Sequence, residues 1–288
     1  MIQILSLVPF ENGEEYFTFV KFDTWVFPGG EVGVKILDTH KVSIGKVVTI
    51  SFNHTKMTSD VIMQFFNMVD AIRRLNTECD IRVQMPYLPY GRQDRVCHEG
   101  ESFALEVFAK LFDTLDEKVL LVVSDPHSYV TQELFGKRII LTNDQAFLVS
   151  MHVDIPDCIV FPDTGAANKI QQYQDLKNST DSYSDVEFFT YNKVRKDGEV
   201  IYSLPEDAKK PWGNVLVVDD ICDGGATFLA LAKAIRTPAV ERLELMVTNG
   251  IFSKGVDILL QGGYDAVHAF NIPGIDNPGV KEYFETIH

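Results

Sequence analysis

The run Val215-Leu216-Val217-Val218-Asp219-Asp220-Ile221-Cys222-Asp223-Gly224-Gly225-Ala226-Thr227 constrains this chain more than any other stretch. Four consecutive aliphatic residues predict a short strand over 215–218, buried on both faces. The segment Phe228 to Arg236 then carries apolar residues at Phe228, Leu229, Leu231, Ala232 and Ile235, one face of a helix. A doubly covered strand that feeds a helix through a glycine turn is the βα unit of an open α/β sheet. Glycines in such a turn let backbone N–H groups close on a phosphate, and the helix N-terminus favours its charge. Carboxylates this close would repel a bare phosphate. They suit a phosphate carried by a sugar whose ring hydroxyls need acceptors, with a metal alongside. The turn therefore predicts a pocket for a phosphorylated ribose.

Strand-like runs alternate with helical periods along the rest of the chain, which predicts α/β architecture with mainly parallel sheets flanked by helices. Val47–Phe52, Ile81–Met85 and Val119–Val123 read as strands in the first half, and Cys158–Phe161, Val186–Thr190 and Leu243–Thr248 in the second. Thr58 to Asn76 places Val61, Ile62, Phe65, Phe66, Val69, Ile72 and Leu75 on one helical face, with Thr58 or Ser59 available as a cap. Phe103 to Leu115 predicts the next helix. Several strands run out into acids or histidine: Ser124-Asp125-Pro126-His127, Asp163 and Asp219. An open α/β sheet builds its site at those carboxyl ends. The chain has 288 residues, 45% of them apolar, enough for two domains with full cores. The two halves look like a diverged duplication, with domains expected at 1–145 and 146–288.

Charge narrows the partners. Lys and Arg total 26 against 41 Asp and Glu, a net charge of -15. Such a chain offers no general basic surface for nucleic acid, so any bound phosphate depends on local groups or metal ions. Cys79, Cys97, Cys158 and Cys222 are dispersed with no C-x-x-C pair, as expected of reduced, mostly buried thiols in a cytoplasmic protein. Cys222 reads as a small filler. No apolar run approaches the ~18 residues of a membrane helix, and no basic segment precedes an apolar run at the N-terminus. The expectation is a cytoplasmic protein without membrane partners. No G-x-x-x-x-G-K-[ST] sequence occurs, which argues against a P-loop kinase.

The turn at 215–227 resembles the phosphoribosyl-diphosphate motif of type I phosphoribosyltransferases and ribose-phosphate pyrophosphokinases. Met85-Pro86-Tyr87-Leu88-Pro89-Tyr90-Gly91-Arg92-Gln93-Asp94-Arg95 resembles a segment found in the pyrophosphokinases alone of the two. Further matches follow in that family's order: Phe27-Pro28-Gly29-Gly30-Glu31, Met68 to Arg74, Asp125-Pro126-His127, Pro162 to Gly165, Lys193-Val194-Arg195 and Ile251-Phe252-Ser253. The resemblance implies two tandem type I phosphoribosyltransferase-like domains. It implies transfer of the terminal diphosphoryl group of ATP, with Mg2+, to the anomeric hydroxyl of ribose 5-phosphate, releasing AMP. Carried over by position, it implies that Phe27 stacks on adenine and that Glu31 helps hold it. Arg92, Gln93, Asp94 and His127 would hold the nucleotide, and His127 and Asp163 would bind or support the metal. Asp219, Asp220, Asp223, Gly224, Gly225, Ala226 and Thr227 would hold ribose and its phosphate. Lys193 and Arg195 would stabilise the migrating diphosphate.

Departures from the family pattern set the alternatives. Gly29 stands where the family usually has Asp, and Gly224 where it typically has a threonine that donates to the 5-phosphate. A smaller turn still offers backbone N–H groups, and it also makes room for a bulkier acceptor such as ADP-ribose. Residues 1–26 do not show the usual opening helix, and the chain stops at His288, short of the usual closing helix. A homodimer is the expected assembly, with a higher homo-oligomer as the alternative. A catalytically silent regulatory subunit and a base-directed phosphoribosyltransferase are the competing functions. The retained Lys193, Arg195, His127 and acids disfavour the first, and the Arg92–Arg95 segment disfavours the second.

Overall fold

The computed structural model describes residues 2–9, 14–142, 149, 155–162, 183–196, 199–203 and 212–274. It divides into two compact units, Met1–Thr142 and Asn143–His288.

In the first unit, β1 (Gln3–Pro9), β2 (Glu15–Phe19), β5 (Val47–Ser51), β6 (Asp80–Gln84), β7 (Val119–Ser124) and β8 (Ile139–Thr142) form one sheet in the order β2-β1-β5-β6-β7-β8. Strands β5 to β8 are mutually parallel, whereas β1 runs antiparallel to both β5 and β2. The described residues of the opening, 2–9 and 14–26, hold strands rather than a helix. The aromatic-rich stretch with Tyr16, Phe17 and Phe19 suits extended backbone better than a helix. A separate two-stranded ribbon joins β3 (Phe22–Val26) to β4 (Val32–Ile36).

Helix α1 (Thr39–Ser43) precedes β5, and α2 (Ser59–Leu75) follows it. The Val61 N–H donates to the Thr58 hydroxyl at the start of α2, satisfying one of the donors that a helix N-terminus leaves open. Its buried face is Ile62, Phe65, Met68, Val69 and Ile72. That face packs on Ile50, Ile81, Val83 and Leu121 of the sheet, together with Leu105, Phe108 and Phe112 of α3 (Ala104–Phe112). Arg73 at the end of α2 donates to both carboxylate oxygens of Asp116, at 2.6 and 2.8 Å. It also donates to the Cys79 carbonyl at 2.6 Å, so it ties α2 to the sheet. A short α4 (Val130–Phe135) completes the described helices of this unit.

The second unit contains β9 (Cys158–Phe161), β10 (Glu187–Thr190), β13 (Asn214–Cys222), β14 (Arg242–Gly250) and β15 (Ala266–Asn271), ordered β10-β9-β13-β14-β15 and all parallel. Helices α5 (Ala226–Ile235) and α6 (Asp257–Gln261) follow β13 and β14. Val215 and Val217 lie in one apolar cluster with α5, and Leu216 and Val218 in another with Ile159 and Phe161. Alternate side chains of a strand point to opposite faces, so the aliphatic run of β13 is covered on both sides. A ribbon of β11 (Asn192–Lys196) and β12 (Glu199–Ser203) stands apart from the sheet.

Candidate active site

Strand β13 does not end at Val218. It continues through Asp219, Asp220, Ile221 and Cys222, because Asp219, Ile221 and Cys222 pair with Val247, Asn249 and Gly250 of the long β14. The turn proper is therefore only Asp223-Gly224-Gly225. Asp219 and Asp220 are successive strand residues, which directs their side chains to opposite faces; Asp220 is buried and Asp219 half-buried. The Asp219 carboxylate accepts the Asp220 N–H at 2.9 Å. Burial pushes the Cys222 thiol up to about 12, and the carboxylates of Asp219 and Asp223 add to that shift. Both acids thus lie close enough to act on one buried group.

Gly225 is the cap of α5, with φ +75. An L side chain there would sit in the disfavoured left-handed region. Helix α5 starts at Ala226, two residues before the predicted start, so Ala226 and Thr227 form its first turn. The first N–H groups of that turn have no intrahelical partner, and a helix start of this kind can receive an anion.

The order of the second sheet places this turn at a topological switch. From β9 the chain passes to β10 on one side and returns to β13 on the other. Ligands of open α/β sheets bind outside the strand ends at such a point. Asp163, two residues beyond β9, lies outside the described residues. Lys193 and Arg195 belong to β11, where they pair with Tyr202 and Val200 of β12. Only Asp197-Gly198 separates the two strands in sequence, and Asp-Gly between strand-like runs is the local signal for such a ribbon.

In the first unit, adjacent parallel strands β6 and β7 send out the Arg92–Arg95 segment and the Asp125–His127 turn at the same edge of the sheet. Arg92, Gln93 and His127 are exposed, whereas Asp94 is buried. Asp94 accepts two hydrogen bonds from Arg95. That guanidinium, with a smaller contribution from the His127 ring, lowers the Asp94 carboxyl to about 2 despite the opposing effect of burial. Asp94 is thus a buried, ionised carboxylate paired with its own neighbour, and Arg92 and Gln93 are exposed beside it. Phe27 opens the β3–β4 turn. Its N–H donates to Glu31 O at 2.7 Å, and the Gly30 N–H donates back to Phe27 O at 2.8 Å. The Phe27 ring is 48% exposed and meets Trp25 edge-on at 5.6 Å. The Glu31 carboxylate folds over Gly29, where an added Cβ would stand 2.5 Å from Oε2. An exposed aromatic face beside a carboxylate can stack on a base and accept from its amine.

Among the described residues, the non-glycine residues with positive φ are His54, Tyr90, Asp125 and Phe252. Each sits in the loop just beyond a parallel strand: β5, β6, β7 and β14 respectively. Each costs about 1–2 kcal/mol, and such strain gathers where a loop is shaped for a ligand. Among the described residues, no three His, Cys, Asp or Glu side chains gather as a metal cage. Magnesium does not need one, since it commonly takes one or two protein groups and completes its shell with water and substrate phosphates.

Sequence reasoning missed Lys254. The Ile251-Phe252-Ser253-Lys254 segment comes back along the Asp223-Gly224-Gly225 turn, with Lys254 Cε 3.6 Å from the place of a Cβ on Gly224. The adjoining Ile251-Phe252-Ser253 motif was the available signal, but nothing local links it to residue 224.

A family model described as the N-terminal domain of ribose phosphate pyrophosphokinase matches residues 16–115. The chain is 26% identical over 248 residues to a ribose-phosphate pyrophosphokinase of Pyrococcus furiosus, covering 85% of this chain and 83% of that one. It is 27% identical over 232 residues to the Pyrococcus abyssi protein of the same name, covering 80% and 76%. Among solved structures, phosphoribosylpyrophosphate synthetase from Mycobacterium smegmatis superposes with a TM-score of 0.65 at 21% identity. That match covers 88% of this chain and 80% of the other, and it shows a shared fold. In motif order and in architecture this chain is similar to the ribose-phosphate pyrophosphokinases, and the model of their N-terminal domain matches its residues 16–115.

Proposed function

We propose that the protein is a magnesium-dependent diphosphotransferase that moves the β,γ-diphosphoryl group of ATP onto the 1-hydroxyl of ribose 5-phosphate and releases AMP. The observation that carries this reading is the end of β13, where two strand acids, a third acid and a left-handed glycine lead directly into α5 at the sheet's switch point. Such a turn offers N–H donors to a phosphate and carboxylates to sugar hydroxyls in one place. The nucleotide residues would be Phe27, Glu31, Arg92, Gln93, Asp94 and His127.

In the reaction the sugar oxygen bonds to the β-phosphorus as the bond from that phosphorus to the α,β-bridging oxygen breaks. The bridging oxygen leaves with AMP, and the hydroxyl proton is released to solvent or to phosphate. Negative charge spreads over the transferring group, so the protein acts by positioning and by charge. Lys193 and Arg195 are the cations proposed for that role. Loss of either should cost on the order of 3 kcal/mol, about a hundredfold in rate. Magnesium, held by the nucleotide phosphates with His127 and Asp163, would neutralise part of the phosphate charge.

A second reading keeps the chemistry and changes the acceptor. Gly224 carries no side chain where the family typically has a threonine, and that smaller turn is the feature that favours ADP-ribose as the acceptor. The deciding experiment is AMP release from ATP with magnesium and either ribose 5-phosphate or ADP-ribose. Turnover of the first supports the main reading, turnover of the second alone supports the alternative, and silence with both favours a regulatory subunit. Chelation with EDTA should abolish any turnover.

A further inference from the structure

The loop from β14 to α6 is a built turn. The N–H groups of Ile251 and Phe252 both donate to the Cys222 carbonyl, at 2.8 and 3.1 Å, which fastens this loop to the last residue of β13. Phe252 is 5% exposed and takes φ +46. Its ring lies over Gly250, in the space that a side chain there would need. Gly255, at φ +80, closes the turn by donating to the Phe252 carbonyl at 2.8 Å. A buried anchor and a strained backbone thus present Ser253 and Lys254 outward, both exposed. Ser253 Oγ and Lys254 Cδ each stand 3.7 Å from the place of a Cβ on Gly224.

Charge gives this placement a consequence. From Asp219 to Ala232 the sequence contains three aspartates and no lysine or arginine. The helix end supplies about half a positive charge, which Asp219 and Asp223 oppose. A phosphate in this turn therefore lacks a cation from its own segment. The fold brings one from the next βα loop, whose Lys254 stem lies in van der Waals reach of the side-chain position of Gly224.

Resting on the ribose-phosphate reading of the turn, we propose that Lys254 is the cationic contact for the 5-linked phosphate of the acceptor, with the Ser253 hydroxyl as a neighbouring donor. The test compares wild type with Lys254→Ala and Lys254→Arg by steady-state kinetics and by calorimetric titration of ribose 5-phosphate. Loss of one charge-assisted hydrogen bond should raise the KM for ribose 5-phosphate about tenfold or more. KM for ATP should stay at its wild-type value, and Lys254→Arg should recover most of the loss. An unchanged KM for ribose 5-phosphate in Lys254→Ala overturns the proposal, as does an effect confined to ATP. If wild type releases no AMP with any acceptor, the proposed reaction fails and the titration still reads Lys254. Weaker binding by Lys254→Ala then upholds the contact, and equal binding, or none by either protein, overturns it.

Discussion

Asp94 and Arg95, neighbours in the chain, form a two-point ion pair, with Arg95 Nε on Asp94 Oδ1 and Nη2 on Oδ2, each at 2.8 Å. The carboxylate side chain is 6% exposed and the guanidinium 70% exposed. One partner is therefore fixed in the protein while the other stays in water.

This pair predicts an acid-labile contribution to stability. The Asp94 carboxyl falls from 3.8 to about 2 on folding. A depressed folded value means that the stabilisation is present above pH 4 and is lost as pH falls through 2. The shift corresponds to about 2.5 kcal/mol at most, and exposure of Arg95 reduces this to about 1 kcal/mol. Chemical denaturation between pH 5 and 2 should show that loss in wild type. Asp94→Asn should be less stable at pH 6 and should lack that part of the pH dependence.

The Phe27 ring predicts a binding defect without a folding defect. Half of its surface is open and its ring contact is with Trp25. Base stacking on an aromatic ring is worth about 1–3 kcal/mol. Phe27→Ala should therefore raise the KM for ATP by about tenfold or more. Its melting temperature should match that of wild type, and KM for the sugar should not change.

Gly225 predicts the reverse coupling, in which fold and sugar site suffer together. An added Cβ would lie at φ +75, 3.1 Å from Leu259 Cδ2 and 3.3 Å from Ile258 Cδ1. Gly225→Ala should lose about 1–2 kcal/mol of stability from the left-handed backbone. Its KM for the acceptor should rise because the first turn of α5 shifts. Urea unfolding and acceptor kinetics on the same preparation check both parts.

Thiol reactivity follows burial. Cys79, Cys158 and Cys222 are buried and Cys97 is exposed. Burial raises the thiols of Cys79, Cys158 and Cys222, and nearby carboxylates raise the latter two further. Thiolates are the reactive form. Native protein should take up one maleimide per chain at neutral pH, at Cys97, with the others reacting only after denaturation. Peptide mapping by mass spectrometry would locate the label.

Burial pattern and helical period are local properties of a chain. For that reason the residues of α2, its Thr58 cap and the aliphatic part of β13 could be read directly from the order of amino acids. The order of motifs from Phe27 to Ser253 likewise pointed to the right relatives. Partners distant in sequence decided the rest. Strand β13 runs on to Cys222 because β14 is there to pair with it. The opening segment settles as strands rather than a helix because β1 finds the distant β5 to pair with. Lys254 reaches Gly224 only because two N–H groups of its loop find the Cys222 carbonyl. Hydrogen bonds between strands and turns far apart in the chain carry no local periodicity, so only the folded molecule places those groups.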